Sequence, residues 1–249
     1  ADAYVKPIVS KQMETIRERF RENGITDHVA IIKSNGGEMT IDSAGNTPIQ
    51  MTVSGPTGGV IAGKQIAALC GVDHLVTFDM GGTSTDCSTV VDGHESFTTD
   101  FDIEFGIPIQ IPMIDIRTIG AGGGSIAWID KGGMLRVGPE SAGAEPGPAC
   151  YGNGGVRPAV TDANVVLGRI SPENFLGGDM SLDKEAAFSA VKSVADQLGR
   201  GVEDTALAIV QIANNNMVGA LRSVLVERGL DPRDFTLLAF GGAGPLHAN

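Results

Sequence analysis

Val76-Thr77-Phe78-Asp79-Met80-Gly81-Gly82-Thr83-Ser84-Thr85-Asp86 is the stretch from which the rest of the chain can be read. An apolar run suited to a buried strand reaches an acid, then two glycines, then a hydroxyl-rich turn that closes on a second acid. Paired glycines let the main chain turn sharply and let a ligand approach backbone dipoles. The hydroxyls and amides that follow are donors suited to phosphate oxygens. A carboxylate at the strand end can hold a hydrated magnesium ion, a hard cation that prefers oxygen. The same residues also fit a tight β-turn between two strands whose polar groups are merely capped. Asp-x-Gly-Gly-Thr is more specific than a glycine pair and less specific than a complete Walker sequence.

Working outward, Cys87 to Val91 continues as a strand, Asp92-Gly93 is a hairpin signal, and the chain returns near Glu95 to Thr99. The acid-glycine turn and this hairpin therefore make a three-strand meander. Downstream, Arg117 leads into Gly120-Ala121-Gly122-Gly123-Gly124-Ser125, flanked at once by the apolar residues Ile126, Trp128 and Ile129. Flanking strands argue against a flexible linker and for a backbone loop pressed against a ligand or another domain. Lys131-Gly132-Gly133 turns into a further strand at Met134 to Val137. Gly138 to Gly155 reads as a long Gly/Pro/Ala loop, and such loops in compact domains are usually functional or disordered. Cys150 within it is a candidate nucleophile, but no histidine is near in sequence and a packed thiol is favoured. Thr161-Asp162-Ala163-Asn164 opens an apolar helix. Thr161 or Asp162 is a natural N-cap, and a cap and a site role stay open side by side.

Before the central stretch, Asp2 to Glu22 reads as a helix with Val5, Ile8, Met13, Ile16 and Phe20 on one face, stopped at Asn23-Gly24. A strand follows at His28 to Ile32, with Lys33, Ser34 and Asn35 at its exit, where α/β proteins tend to place ligands. A short strand at Ile49 to Val53 precedes a helix from about Pro56 to Leu69. The glycines of Ser54-Gly55-Pro56-Thr57-Gly58-Gly59 suit close helix packing better than an anion site. After Asp162 the chain is mostly helical. Leu182 to Leu198 is amphipathic, with Phe188 among its apolar positions. Glu203 to Arg228 carries a buried stripe through Ile209, Val210, Ala213, Met217, Val224 and Leu225, while Asn214-Asn215-Asn216 reads as a solvated interruption. Thr236 to Phe240 is a buried strand leading into Gly241-Gly242-Ala243-Gly244-Pro245-Leu246-His247. That loop can cover an adenine or ribose face, with His247 as a packing residue or a ligand-orienting one.

The chain has 249 residues, 42% of them apolar, enough for one large or two modest domains with a real core. A net charge of −12 argues against non-specific nucleic-acid or anionic-membrane binding. An anionic ligand would have to be held locally by backbone dipoles. Three dispersed cysteines, Cys70, Cys87 and Cys150, form neither a zinc pattern nor a disulfide framework and read as thiols of a reducing cytoplasm. No apolar run approaches membrane-spanning length. No Ser-His-Asp triad is apparent. The chain opens Ala1-Asp2-Ala3 and stops at Asn249 directly after a glycine loop, so it reads as a segment of a longer polypeptide.

Taken together, Asp79 to Asp86, Gly120 to Trp128, Gly138 to Gly152, Thr161 to Asn164 and Gly241 to His247 resemble the hydantoinase A/5-oxoprolinase family in family order, over essentially the whole chain. The resemblance implies an α/β fold of the actin, sugar-kinase and chaperone ATPase type: a ribonuclease H-like lobe, a mixed sheet flanked by helices. It implies that residues 1–249 are the central domain of an A-type subunit, with a possible division into 1–71 and 72–249. It implies ATP and Mg2+, with Asp79 holding hydrated magnesium. Gly81, Gly82, Thr83 and Thr85 would donate to phosphate, and Asp86 would orient the turn or a water. Gly241, Gly242 and Gly244 would face the nucleoside. The implied activity is ATP-dependent opening of a cyclic amide (hydantoin, N-methylhydantoin or 5-oxoproline) beside a B-type partner, in a homo- or hetero-oligomer. The alternatives are the ATPase subunit of an acetone- or acetophenone-type carboxylase, and a noncatalytic ATP-dependent switch.

Overall fold

The computed structural model describes residues 2–25, 29–99, 101–103 and 107–248. His28, which the sequence put in the first strand, lies outside them. The chain divides into two compact units, 1–77 with 88–116, and 78–87 with 117–249. The sequence suggested a division after residue 71; the segment 88–116 instead clusters with the N-terminal residues.

In the first unit α1 (Asp2–Glu22) ends where Gly24 takes a φ of 70°, as the Asn-Gly pair predicts. Its buried face runs through Val9, Met13, Ile16 and Phe20 against Met39, Ile41 and Ala44. Ile8 points outward at 72% exposure, so the stripe passes one residue later than the sequence suggests. β1 (Ala30–Ile32) and β2 (Glu38–Thr40) form an antiparallel pair, and α2 (Ile41–Asn46) is capped by the Thr40 side chain. The strand predicted at Ile49 to Val53 is instead a 3-10 turn, Pro48–Met51. Pro48 presets the turn and lacks a strand donor. Ser34 secures it, its Oγ donating to the Gln50 carbonyl at 2.8 Å. The strand exit at Lys33 to Asn35 is thus occupied by its own turn, with Gly37 N donating to Asn35 Oδ1 at 3.0 Å. α3 (Ser54–Leu69) follows, and a Cβ on Gly58 would lie 3.1 Å from Ile32 Cδ1, the close packing expected of its glycines.

β3 (Leu75–Met80) and β4 (Thr85–Val91) neighbour one another, and β5 (His94–Glu95) pairs with β4. The meander read from the sequence is therefore present. Asp92 and Gly93 both have positive φ, 51° and 73°, the backbone a two-residue hairpin turn of matching twist requires. Short ribbons follow. β6 (Phe97–Thr98) pairs with β9 (Met113–Ile114), and β7 (Phe101–Ile103) with β8 (Ile107–Ile109).

The second unit is built on the ends of β3 and β4. β10 (Arg117–Ile119) pairs antiparallel with β4, bringing Thr118 opposite Asp86. β11 (Ser125–Ile129) and β12 (Leu135–Ser141) form a hairpin whose turn is closed by Asp130, which accepts from Gly132 N and Met134 N. β12 extends to Ser141, so the first part of the expected Gly138 to Gly155 loop is strand. The helices α4 (Val160–Val166), α5 (Lys184–Leu198) and α6 (Val202–Val226) pack together. The core joins Phe78, Met80, Val160, Val191, Ile209, Val210 and Met217, all at most 2% exposed. The apolar stripe of α6 is as its periodicity predicts. On α5 Phe188 is 46% exposed and Ala187, Ala190, Val191, Val194 and Ala195 make the buried face. β13 (Thr236–Phe240) lies beside β3 as the sheet's last strand. Among the described residues no helix is long and apolar enough to cross a membrane.

Candidate functional site

The glycine turn after β3, the glycine loop before β11 and the glycine loop after β13 come together within the second unit. Gly81 N donates to Ser84 O at 2.9 Å and closes the first turn. Gly123 N donates back to Gly81 O at 3.0 Å, and Gly124 N to Gly82 O. A Cβ on Gly122 would stand 2.7 Å from the Gly82 carbonyl oxygen, so glycine there is demanded by the approach of two main chains. The loop at 120–124 is pressed against another backbone segment of its own unit. From the far side Ala243 N donates to Met80 O at 2.9 Å.

Gly81, Gly82, Gly123, Gly242 and Ala243 share the wall of one cavity of about 460 Å³ with Thr161, Asn164, Ser171 and Asn174. Tyr151, Ile170, Phe175, Leu176 and Leu246 complete it as an apolar side. Tyr151 and Phe175 are a tilted aromatic pair with centroids 5.8 Å apart. The volume and mixed lining suit a small organic ligand with a polar end.

The glycines of the site have different reasons to be glycine. Gly241 has a φ of 80°, and a Cβ there would meet Asp79 Oδ1 and, at 2.6 Å, the Met80 oxygen. Gly244 packs on the Phe78 carbonyl, 3.3 Å from its would-be Cβ. These two let the loop cross the end of β3 and do not line the cavity. Gly82 and Gly242 do line it and have no described atom within 4 Å of a would-be Cβ. The N–H groups of Gly82, Thr83 and Gly242 donate to no described residue.

Other residues nominated from the sequence fare unequally. The Gly81 N–H is spent on Ser84 and is not free for phosphate. Thr85 is fully buried and its hydroxyl donates to Ala121 O at 2.6 Å, so it too is withdrawn from that role. Thr83 is exposed at the turn's tip. Asp79 and Asp86 are half-buried, and burial followed by the charge of Asp86 pushes the Asp79 carboxyl up. Asp86 accepts from the Thr118 hydroxyl across the β4–β10 pair. A divalent cation beside Asp79 would offset that mutual repulsion. Among the described residues no three His, Cys, Asp or Glu side chains cluster as a metal site. Magnesium there would draw most of its ligands from water and phosphate, which is its ordinary habit.

The Thr161 to Asn164 run is neither a plain cap nor a plain site. The N-cap of α4 is Ala159, not Thr161 or Asp162. Thr161 holds the glycine loop, its N and Oγ1 both donating to Gly123 O at 2.8 Å. Asp162 is buried and accepts from Ala149 N at 3.1 Å, Cys150 N at 2.8 Å and Ala159 N at 2.8 Å. Desolvation raises its pKa while those amides pull it back. Cys150 is packed against Val165, Leu182 and Ala187, and its thiol is pushed up chiefly by burial. It is a core residue, as favoured from the sequence. Cys87 is likewise buried, its thiol raised to about 12.

The sequence missed the polar chain behind the cavity. His247 Nδ1 lies 2.6 Å from Asn214 Oδ1, and its Nε2 lies 3.2 Å from Asn164 Nδ2. Asn214 is therefore not a solvated interruption of α6. Asn216 also departs from that reading, donating to Val137 O at 3.3 Å. The asparagine run gives no local cue to these partners, which are distant in sequence.

The hydantoinase/oxoprolinase family model matches residues 1–249. The chain belongs to that family. It is 43% identical to caprolactamase subunit alpha of Pseudomonas jessenii over 99% of its own length and 35% of the relative's. The crystal structure of the ATP-dependent caprolactamase from that organism superposes with a TM-score of 0.81 at 41% identity, over 99% of this chain and 36% of that one. The nucleotide-free structure of an acetone carboxylase superposes with a TM-score of 0.86 at 30% identity, over 96% of this chain and 33% of that one. The chain thus spans about a third of the length of these relatives. The fold of this hydantoinase/oxoprolinase family member is α/β, a mixed sheet flanked by helices, of the actin-like ATPase type.

Proposed function

We propose that this chain supplies part of an ATP site, and that the whole enzyme uses ATP to activate the carbonyl oxygen of a small substrate. The observation that carries the reading is the pair Gly82 and Gly242. Two turns from opposite ends of the second unit line one cavity with glycines that neither crowding nor φ explains, and both keep a free N–H. Space of that kind is what a phosphate-bearing ligand needs to reach main-chain donors. The tilted aromatic pair Tyr151 and Phe175 gives the same cavity a surface for a flat base.

In this reading Gly82 N and Thr83 N bind phosphate oxygens, and Asp79 holds hydrated magnesium with Asp86 fixing the turn through Thr118. Gly242 N approaches the nucleoside side. ATP when bound supplies a phosphoryl group that turns a poor leaving oxygen into a good one. The protein's part is positioning and charge neutralisation, the main needs of phosphoryl transfer.

The two solved relatives share ATP dependence and not the chemistry at carbon, since one is a caprolactamase and the other an acetone carboxylase. The superposition on the carboxylase supports the carboxylation branch at least as well as ring opening of a hydantoin, lactam or 5-oxoproline. A second subunit of the B type is part of either proposal, since relatives carry subunit names. ADP release by the full-length enzyme with its partner, measured with cyclic amides and with ketones plus bicarbonate, separates them. Turnover stimulated by neither class would favour the noncatalytic switch. Replacing Asp79 with Asn in that complex should abolish stimulated ADP release. Unchanged release would take Asp79 out of the site.

A further inference from the structure

Asn164 is 1% exposed, forms part of the cavity wall, and its Oδ1 has no hydrogen-bond partner among the described residues. A buried polar atom without a partner is costly, and native structures rarely tolerate one without a use. The other end of the same amide is engaged. Asn164 Nδ2 lies 3.2 Å from His247 Nε2, and His247 Nδ1 lies 2.6 Å from Asn214 Oδ1. An amide oxygen can only accept, so His247 carries its proton on Nδ1. A neutral ring then accepts at Nε2, which turns the Asn164 NH2 group toward the histidine and leaves Oδ1 on the opposite side. Asn214 does not line the cavity; it sets the orientation from α6. Thr161, on the same face of α4, reaches the cavity one turn earlier and anchors Gly123 there.

We propose that Asn164 is the side chain that reads the nucleoside in this cavity. Its Oδ1 accepts from a donor of the ligand, a ribose hydroxyl or the exocyclic amine of adenine, with His247 and Asn214 as positioning residues behind it. The assignment rests on the nucleotide reading above and adds to it the group that confers selectivity. An acceptor held by two further side chains rejects a ligand lacking the donor, because the oxygen is then left buried and unpaired.

The test is calorimetric titration of the full-length protein with ATP, 2′-deoxyATP, 3′-deoxyATP and purine riboside triphosphate, which lacks the amine. Wild type should bind one of the three analogues about tenfold more weakly than ATP, and which one identifies the donor. Asn164→Ala should bind ATP at the level of that analogue and no longer tell the two apart. Asn214→Leu touches no ligand but removes the acceptor that fixes the histidine proton. It should shrink the same ratio, a change that a merely structural residue would not produce. Equal affinities for all four ligands in wild type would overturn the proposal, as would a ratio unchanged in the folded variants. A preference for inosine triphosphate, which offers an acceptor in place of the amine, would overturn it too by showing that the amide faces the other way. Wild type that binds ATP but fails these tests defeats this assignment alone, whereas no saturable ATP binding defeats the nucleotide reading with it.

Discussion

Among the described residues glycine at 82 and at 242 answers to no neighbour, while glycine at 122 answers to the Gly82 carbonyl 2.7 Å from where a Cβ would sit. Alanine should therefore separate the two classes. Gly82→Ala and Gly242→Ala should change stability by no more than about 1 kcal/mol and lower ATP affinity sharply. Gly122→Ala should cost about 1–3 kcal/mol, because two backbones must part. Denaturant melts paired with nucleotide titration of the full-length protein check both halves. His247 gives a residue-scale prediction with a definite sign. Burial, then the charge of Arg169, lowers its pKa from 6.5 to about 4. Its ring nitrogens pair with Asn164 and Asn214. Between those values the unfolded chain binds more protons, so the contribution is complete above the unfolded pKa and is lost as pH falls toward the folded one. Its size is up to roughly 3 kcal/mol. Asp79 and Asp162 have raised pKa values and work in the opposite sense, so the difference between variants isolates the histidine. His247→Gln should flatten the loss of thermal stability between pH 6.5 and 4; an unchanged slope would mean the ring is protonated in the native state.

Among the elements, α4 ties several parts of the second unit together. In its first turns Thr161 ties down the Gly123 loop, Asp162 ties down the 3-10 turn at Ala149–Tyr151, and Asn164 reaches the cavity. Val160, Ala163 and Val165 meanwhile face apolar clusters. Asp162→Asn keeps the shape but turns an NH2 group toward amides that need an acceptor. The expected cost is about 2–4 kcal/mol, read by urea unfolding, with faster alkylation of Cys150 as its loop loosens. Unchanged alkylation would mean that packing alone holds the loop. The sequence located this helix and its apolar side, because period and capping residues are local. It could not tell a cap from a tether, since Ala149, Cys150 and Gly123 are brought there by the fold. The α1 stripe shows the same limit: the helix was legible, but whether Ile8 or Val9 faces the core depended on what packs against it.

For the whole molecule the central fact is that the chain matches its family from end to end yet spans about a third of its relatives. The cavity lined by Gly82 and Gly242 lies within the second unit, and the relatives it is compared with are about three times as long. The 249-residue chain by itself should therefore bind ATP much more weakly than the full-length protein, as compared by calorimetry. Equal affinities would mean that the second unit suffices. The charge of −12 fits this dependence on local donors, because the global field opposes a polyphosphate.

Sequence alone settled the features that obey local rules: the acid-glycine turn between strands, the Asp92-Gly93 hairpin, the amphipathic helices and the family. The fold alone decided which glycines serve packing and which stand open. It also decided that the hydroxyl of Thr85 and the amide of Gly81 are already engaged, and that Asn214, His247 and Asn164 form one polar chain. The reason is physical. A hydrogen bond between residues 33 or 83 positions apart leaves no mark on the neighbours of either partner, and the space above a glycine is a property of everything that does not pack there.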